Sequence, residues 1–287
     1  SYRGAVRWRA LLRSIRARDA GHPRDRTLFA LVDDGSPNEG EMVQVAKEFE
    51  VDEFARFPEN RGIPAGWNEC ARLAWKRGAE IVVILNDDIL VVDDWLGAMV
   101  YFLTHNEEVA GASWNFHWFT PQMVDWIIRS PDKAIPLTHE KKLAPSRRKL
   151  EVDARPSRMM CVAGCCFAIR RDMWDRVGPF DEDYKSFYEE SSHGTKAASM
   201  GIPCYGGLPP FIWHQWAATF SSCPELKDQE RMRESRELYF KKWGVAGNPV
   251  DTFAETRERY MPSIPGCTLR WRHRGVEHSR EVQQGER

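Results

Sequence analysis

The 287-residue sequence lacks several features that would assign it to a specialised class of protein. Its 41 basic and 42 acidic residues leave a formal net charge of −1, so no global field favours a nucleic acid or an anionic membrane as partner. No apolar run approaches the roughly 20 residues that span a bilayer. No apolar secretory segment follows the basic residues Arg3, Arg7 and Arg9. We therefore expect a cytoplasmic protein without a membrane span.

Paired cysteines are also lacking. The seven cysteines are odd in number and irregular in spacing, which predicts reduced thiols in the core rather than a disulfide framework. Cys161, Cys165 and Cys166 lie close together, but no Cys-x-x-Cys pair accompanies them, so a zinc site is disfavoured. With 42% hydrophobic and 29% charged residues, the composition is that of an ordinary globular protein of one large or two small domains.

Strand and helix patterns alternate through the first part of the chain. They predict helices at residues 8–15, 39–49, 65–77 and 93–103, and strands at residues 27–32, 53–57 and 81–85. Because a β-α-β-α-β order gives parallel strands joined by right-handed crossovers, we expect an α/β fold with a mostly parallel central sheet flanked by helices.

The pattern changes after a further predicted strand at residues 109–114. Residues 115–158 carry several prolines and two basic clusters, which predicts an irregular insertion. The patterns then predict a strand at 159–169, a helix at 189–200, short strands within 203–214 and a charged helix at 225–243. We expect residues 1–243 to form one domain and residues 244–287 to form a C-terminal extension along its surface.

One short stretch combines a strand with groups that carry chemistry. Five apolar residues, 81–85, lead directly into Asn86, Asp87 and Asp88. Carboxylates at the carboxyl end of a buried strand lie where open α/β sheets bind ligands, and their oxygens suit Mg²⁺ or Mn²⁺. A solvated turn that caps the following helix is the alternative reading of the same residues.

Other polar clusters follow the same positional pattern, and together they resemble the family 2 glycosyltransferases. The matching segments are "LVDDGSPNEG", "ENRGIPAGWNECARLAWKRGAEIVVILNDDILVVDDWL", "VAGCCFAIRRDMWDRVGPFDEDYKSFYEESSHGTKAASMGIP", "FIWHQWAATF" and "YFKKWG". The resemblance implies a GT-A (Rossmann-like) fold and an inverting enzyme that uses a nucleotide-sugar donor. Residues 1–114 would be its nucleotide-binding half and residues 159–243 its acceptor-binding half.

The resemblance also assigns roles in donor binding. It places these residues near the nucleotide-sugar: Tyr2, Arg3, Asp33, Asp34, Asn60, Arg61, Asn86, Asp87 and Trp216. Asp88 and His214 match the metal ligands, so Mn²⁺ or Mg²⁺ is the expected cofactor. A UDP-sugar is the favoured donor, with GDP- and dTDP-sugars as further candidates. The alternatives are a turn cap for the Asp33-Asp34 pair, a solvated loop arginine for Arg61 and a core histidine for His214.

Glu190 matches the position of the catalytic base, with Glu189 beside it. Inverting transfer needs one carboxylate to take the proton of the acceptor hydroxyl. The usual motif has Asp at this position and a second Asp where Ser192 stands, which leaves the acceptor geometry open. The alternative is that both glutamates favour the helix N-terminus electrostatically, by up to about 1 kcal/mol.

Two further expectations concern completeness and function. No segment matches the family's first strand, so we expect that strand either to precede residue 1 or to be replaced, because its neighbour otherwise has an exposed edge. The competing functions are a sugar- or nucleotide-binding protein without catalysis and, on the basic residues of 141–149, a nucleic-acid-binding module. The acceptor stays open between a glycan and a modified nucleic acid.

Overall fold

The computed structural model describes residues 2–118, 156–215, 219, 223–244, 268–273 and 276–281. Its helices are α1 (Ala5–Arg16), α2 (Glu39–Glu48), α3 (Ile63–Lys76), α4 (Trp95–His105), α5 (Arg171–Val177), α6 (Glu189–Ser199) and α7 (Asp228–Trp243). Its strands are β1 (Ala30–Asp33), β2 (Glu53–Arg56), β3 (Ile81–Leu85), β4 (Ile89–Leu90), β5 (Gly111–Trp118), β6 (Ser157–Met159), β7 (Cys166–Arg170), β8 (Cys204–His214), β9 (Thr268–His273) and β10 (Val276–Glu281).

The α/β architecture is confirmed, but the sheet is mixed rather than mostly parallel. Strands β1 and β2 form a parallel pair. In the six-stranded sheet the order is β3-β7-β5-β8-β4, with β6 beside β8. Only β5 and β8 run parallel there, whereas β7 is antiparallel to both β3 and β5. The β-α-β-α-β rule fails after β3 because β7, which lies far along the chain, takes the place beside it.

Several element boundaries differ from those predicted. The strand predicted at 159–169 is two strands, β6 and β7, separated by a turn around Gly164. β5 extends to Trp118, beyond the predicted start of the insertion. Helix α5 and the antiparallel hairpin of β9 and β10 were not predicted. Most of the predicted insertion and extension lies outside the described residues.

Two apolar clusters cover the two faces of the sheet. One joins α1, α4 and the inner side of β5 and β8, with Met99, Phe102 and Trp114 fully buried. The other joins α3, α5 and α6 across β3 and β7. Buried polar residues, including Asp33, Asp34, Asp87 and Asp88, lie at or just after the ends of β1 and β3. In the described part of the chain, no helix is long and apolar enough to cross a membrane.

A cavity of about 1160 Å³ is lined by residues of both β1 and β3 and by polar residues that follow them, including Asp34, Asn86 and Asp88. Among the described strands, β1 pairs only with β2, and β3 pairs only with β7. Apolar side chains of α1 and α3, including Leu12 and Trp67, line the cavity on its two sides. Arg3 lies near the carboxyl end of β1, since its backbone N–H donates to Ser36 Oγ at 2.8 Å. Among the described residues, the space between β1 and β3 therefore has a position and an apolar lining that suit one further strand.

We predict that a short apolar strand fused ahead of Ser1 stabilises the protein. Five β-branched residues would pair with β1 and β3 and bury their side chains between the helices. We expect a net gain on the order of 2 kcal/mol after ordering entropy, or about 4–8 °C in Tm. Thermal unfolding measures it, and hydrogen exchange should show slower exchange in β3. An extension of equal length with alternating prolines is the control; an equal effect of both extensions would contradict the prediction.

Candidate active site

The acidic segment after β3 is held from two sides. The backbone N–H of Asn86 donates to the carbonyl of Cys165 at 2.9 Å. The indole N–H of Trp67 donates to Asn86 Oδ1 at 3.3 Å. Asp87 and Asp88 are both buried, with less than a tenth of each residue exposed. The alternative of a solvated turn does not describe this segment, because both carboxylates are buried and line the cavity.

Asp88 and His214 face each other. β4 and β8 are antiparallel with Ile89 opposite His214, and the N–H of Gln215 donates to the Asp88 carbonyl at 2.8 Å. This register brings Asp88 Oδ1 within 3.4 Å of His214 Nε2. Burial alone lowers the pKa of His214, but its contacts with Asp88 and Cys165 raise it to about 9. The structure thus brings the two predicted metal ligands together.

These two side chains fit a divalent cation. Neighbouring ligands of an octahedral ion at about 2.1 Å lie about 3 Å apart, near the observed separation of Asp88 and His214. The carboxylate suits Mg²⁺ or Mn²⁺, and the imidazole is a ligand for first-row transition metals in general. The described residues contain no cluster of three or more ligating side chains, so phosphate oxygens and water would complete the shell, as is usual where the substrate is a nucleotide.

Cys165 belongs to this site, although the sequence indicated only a core thiol. Its sulfur lies 3.5 Å from that of Cys166. The hydrogen bond with Cys166 and the His214 imidazole lower the pKa of Cys165 to about 6 against the opposing effect of burial. No local signal marks it, because the segment "GCC" reads as a small apolar stretch and the partner histidine is about fifty residues away.

The two glutamates at the start of α6 occupy different environments. Glu189 is 3% exposed, and burial together with the neighbouring Glu190 raises its pKa well above the ordinary value. Glu190 is partly exposed and lines the cavity. Burial raises the pKa of Glu190 to about 7. A carboxyl with this pKa can accept a proton near neutral pH, which is what a general base requires.

Unusual backbone geometry and a glycine lie next to Glu190. Phe187 and Tyr188 both have a φ of 66°, a left-handed conformation that is uncommon for bulky side chains and that often marks functional sites. A Cβ at Gly164 would lie 3.1 Å from the Trp67 ring and 3.4 Å from Glu190 Cδ. The glycine therefore leaves the space that the Glu190 carboxyl occupies.

The predicted base-binding carboxylates, Asp33 and Asp34, accept hydrogen bonds from the protein itself. Asp33 Oδ1 accepts from the Ser36 N–H and hydroxyl at 3.1 and 2.5 Å. Asp34 accepts from Asn60 Nδ2 and from the N–H groups of Arg61 and Gly62, at 2.7–3.0 Å. Both carboxylates therefore hold the loops around the cavity in place, and this includes the predicted capping of the turn. Asp34 and Asn60 also line the cavity.

Two predicted donor-binding cations point elsewhere. Arg61 pairs with Glu182 at 2.7 Å and lies over the Phe57 ring. Arg3 pairs with Glu225 at 2.8 Å, while its neighbour Tyr2 lines the cavity. Arg7, Lys185 and Arg231 bring positive charge to the site instead, and Arg231 donates to Asn60 Oδ1 at 3.3 Å. Trp216 lies outside the described residues.

Comparisons with known proteins identify the family and the fold. The model of the family described as Glycosyl transferase family 2 matches residues 7–178. No curated protein sequence matches the chain. Similar solved structures include the mannosyltransferase PcManGT from Pyrobaculum calidifontis with GDP-Man and Mn²⁺, at 19% identity and a TM-score of 0.55; the alignment covers 91% of this chain and 67% of that one.

Two other solved structures share the fold. S. aureus TarS 1-349 in complex with UDP is 14% identical with a TM-score of 0.56, covering 90% of this chain and 69% of that chain. GalNAc-T7 with UDP, GalNAc and Mn²⁺ is 15% identical with a TM-score of 0.51, covering 86% of this chain. The present chain spans 50% of the length of GalNAc-T7. With the family model matching more than half of its residues, the chain belongs to glycosyl transferase family 2.

Proposed function

We propose that the protein is an inverting glycosyltransferase that uses a nucleotide-sugar, with a UDP-sugar as the favoured donor and Mn²⁺ or Mg²⁺ as cofactor. One observation carries the proposal. The Asp88–His214 pair and the Glu190 carboxyl, which fit a cation and a proton acceptor respectively, line one cavity at the carboxyl ends of the strands. The similar structures with UDP or GDP-Man and Mn²⁺ support this reading.

The reaction divides between these two groups. Glu190 takes the proton from the acceptor hydroxyl as its oxygen attacks the anomeric carbon. The bond from that carbon to the diphosphate breaks as the new bond forms, and its electron pair leaves with the nucleotide. Single displacement inverts the carbon and needs no covalent enzyme intermediate. Asp88 and His214 would hold the divalent cation, which would supply positive charge to the leaving diphosphate.

A thermal-shift panel tests donor binding. We expect UDP with Mn²⁺ to stabilise the protein more than UDP or Mn²⁺ alone, with GDP and dTDP as comparisons. Nucleotide at about 100 times its Kd adds roughly 2.7 kcal/mol, or about 5–10 °C in Tm. Release of UDP from UDP-sugars in the presence of mixed acceptors then tests transfer. Absence of stabilisation by any nucleotide contradicts the proposal, whereas binding without turnover leaves a binding protein.

A further inference from the structure

Arg7, near the start of α1, forms a buried ion pair with Asp87 that the sequence did not predict. Its Nε lies 3.1 Å from Asp87 Oδ1 and its Nη2 lies 3.3 Å from Asp87 Oδ2, so the guanidinium binds the carboxylate at two points. Nη2 also donates to the Tyr2 carbonyl at 3.2 Å and to Thr219 Oγ1 at 3.0 Å. The Arg7 side chain is only 12% exposed and that of Asp87 only 6%.

These contacts join the segments that carry the candidate cation ligands. Asp87 directly precedes Asp88, and Thr219 follows His214 by five residues. A two-point contact restricts the rotation of the Asp87 side chain. Asp87 is thereby held against Arg7, within the short link between β3 and β4 that also carries Asp88.

The charges of the same residues matter as much as their positions. Asp87 and Asp88 are neighbouring carboxylates that are both largely buried. Without Arg7, both negative charges would face a dianionic diphosphate across a cavity in which Coulomb forces are weakly screened. With Arg7 in place, Asp87 is neutralised and Asp88 alone offers net negative charge to a cation.

We propose that Arg7 is a positioning residue that makes the site accept a cation together with a diphosphate instead of a cation alone. The inference rests on the proposed function. In this inference Asp87 binds Arg7 next to Asp88, whereas the family resemblance implied that Asp87 contacts the nucleotide-sugar. The inference also predicts that loss of Arg7 changes the affinities for cation and for nucleotide in opposite directions, which a general loss of structure does not do.

The test compares R7M with the wild-type protein in two binding measurements. Mn²⁺ alone, titrated by electron paramagnetic resonance, should bind R7M several-fold more tightly because one positive charge is gone. UDP in saturating Mn²⁺, measured by calorimetry, should bind R7M about 10–100-fold more weakly. R7K restores the charge but lacks the planar fork, so Mn²⁺ alone should bind it like wild type while UDP binding recovers only in part.

R9M is the matched control. Arg9 lies on the same helix and also pairs through its Nε with a carboxylate, Glu48 at 2.8 Å, away from the cavity. Equal weakening of Mn²⁺ and UDP binding in R7M, or R7M behaviour like that of R9M, would overturn the inference. If R7M does not fold, the R7K comparison decides, and wild-type UDP affinity in R7K counts against it. If wild type binds no nucleotide, the proposed function fails first and this inference fails with it.

Discussion

Replacing Glu190 by Gln is expected to lower turnover by about 10²–10⁴-fold while leaving the binding of UDP and Mn²⁺ within about twofold of wild type. The amide keeps the size of the side chain and its place beside Gly164 and Trp67, but it cannot accept the proton of the acceptor hydroxyl. The measurement is the rate of UDP release with saturating donor and acceptor. A variant with the wild-type rate would exclude Glu190 as the base.

The pH dependence identifies the group more specifically. Because burial raises the pKa of Glu190 to about 7, the base form is scarce at pH 6 and predominates at pH 8. Turnover should therefore increase with pH and level off above about pH 8. Glu190→Asp, which keeps a carboxyl group but withdraws it by one methylene, should retain a pH-dependent limb at reduced rate. Loss of that limb in Glu190→Gln completes the assignment.

Glu190→Gln, which should lower turnover, should raise the stability of the folded protein. A carboxyl whose folded pKa lies near 7, above its ordinary value of 4.5, is ionised in the folded state only against the effect of burial. The unfolded chain releases the proton more easily, so stability falls as the pH rises from about 4.5 to 7. Glu190→Gln removes this term and should gain about 1–3 kcal/mol at pH 8 and little at pH 4.

A control glutamate separates this effect from a general change of charge. Glu230, on the exposed side of α7, loses the same charge in Glu230→Gln but is not buried. Chemical denaturation of both variants at pH 4 and pH 8 makes the comparison. An equal gain in both, or no dependence on pH, would show that the Glu190 carboxyl is not held in an unfavourable environment.

The residues of this site that were predicted from sequence stand in segments with a local signal, and their roles were implied by the resemblance to the family. The strand Ile81–Leu85 is an unbroken apolar run, and Asn86, Asp87 and Asp88 follow it directly, so strand end and polar cluster are read together. Glu189 and Glu190 are the first two residues of a helix, and acidic residues are typical of a helix start. A pattern confined to a few neighbouring residues is visible without any knowledge of the fold.

The parts that were missed depend on contacts between distant residues. Arg7 is one of several arginines on α1, and its sequence context does not show that it faces Asp87, which lies 80 residues away. The antiparallel insertion of β7 beside β3 joins residues more than 80 positions apart. Since hydrophobic periodicity reports the period of a strand and not its direction or its neighbour, neither feature has a local signature.

Replacing Asp88 by Asn is expected to abolish the dependence of nucleotide binding on Mn²⁺. An amide oxygen carries no net charge and is a weaker ligand for a hard cation. Because even the loss of a supporting group around a metal typically reduces affinity 10–100-fold, loss of the carboxylate itself should weaken Mn²⁺ binding at least a hundredfold. The Asp88–His214 contact at 3.4 Å would also lose its charge complementarity.

The measurement is UDP affinity with and without Mn²⁺. At a Mn²⁺ concentration that just saturates the wild type, we expect Mn²⁺ to strengthen UDP binding strongly in wild type and to leave it unchanged in Asp88→Asn. Asp172→Asn, at an exposed carboxylate paired with Arg170, is the control and should behave like wild type. Retention of the Mn²⁺ effect in Asp88→Asn would show that another group holds the cation.

Together the two substitutions separate binding from chemistry. Asp88→Asn should raise KM for the donor and lose UDP affinity in parallel, because it removes an interaction made with the bound diphosphate. Glu190→Gln should lower kcat with little change in donor affinity, because proton transfer occurs only in the transition state. Excess Mn²⁺ should partly restore activity to Asp88→Asn and none to Glu190→Gln. If excess Mn²⁺ restored both variants equally, cation binding by Asp88 and proton transfer by Glu190 would not be separate functions.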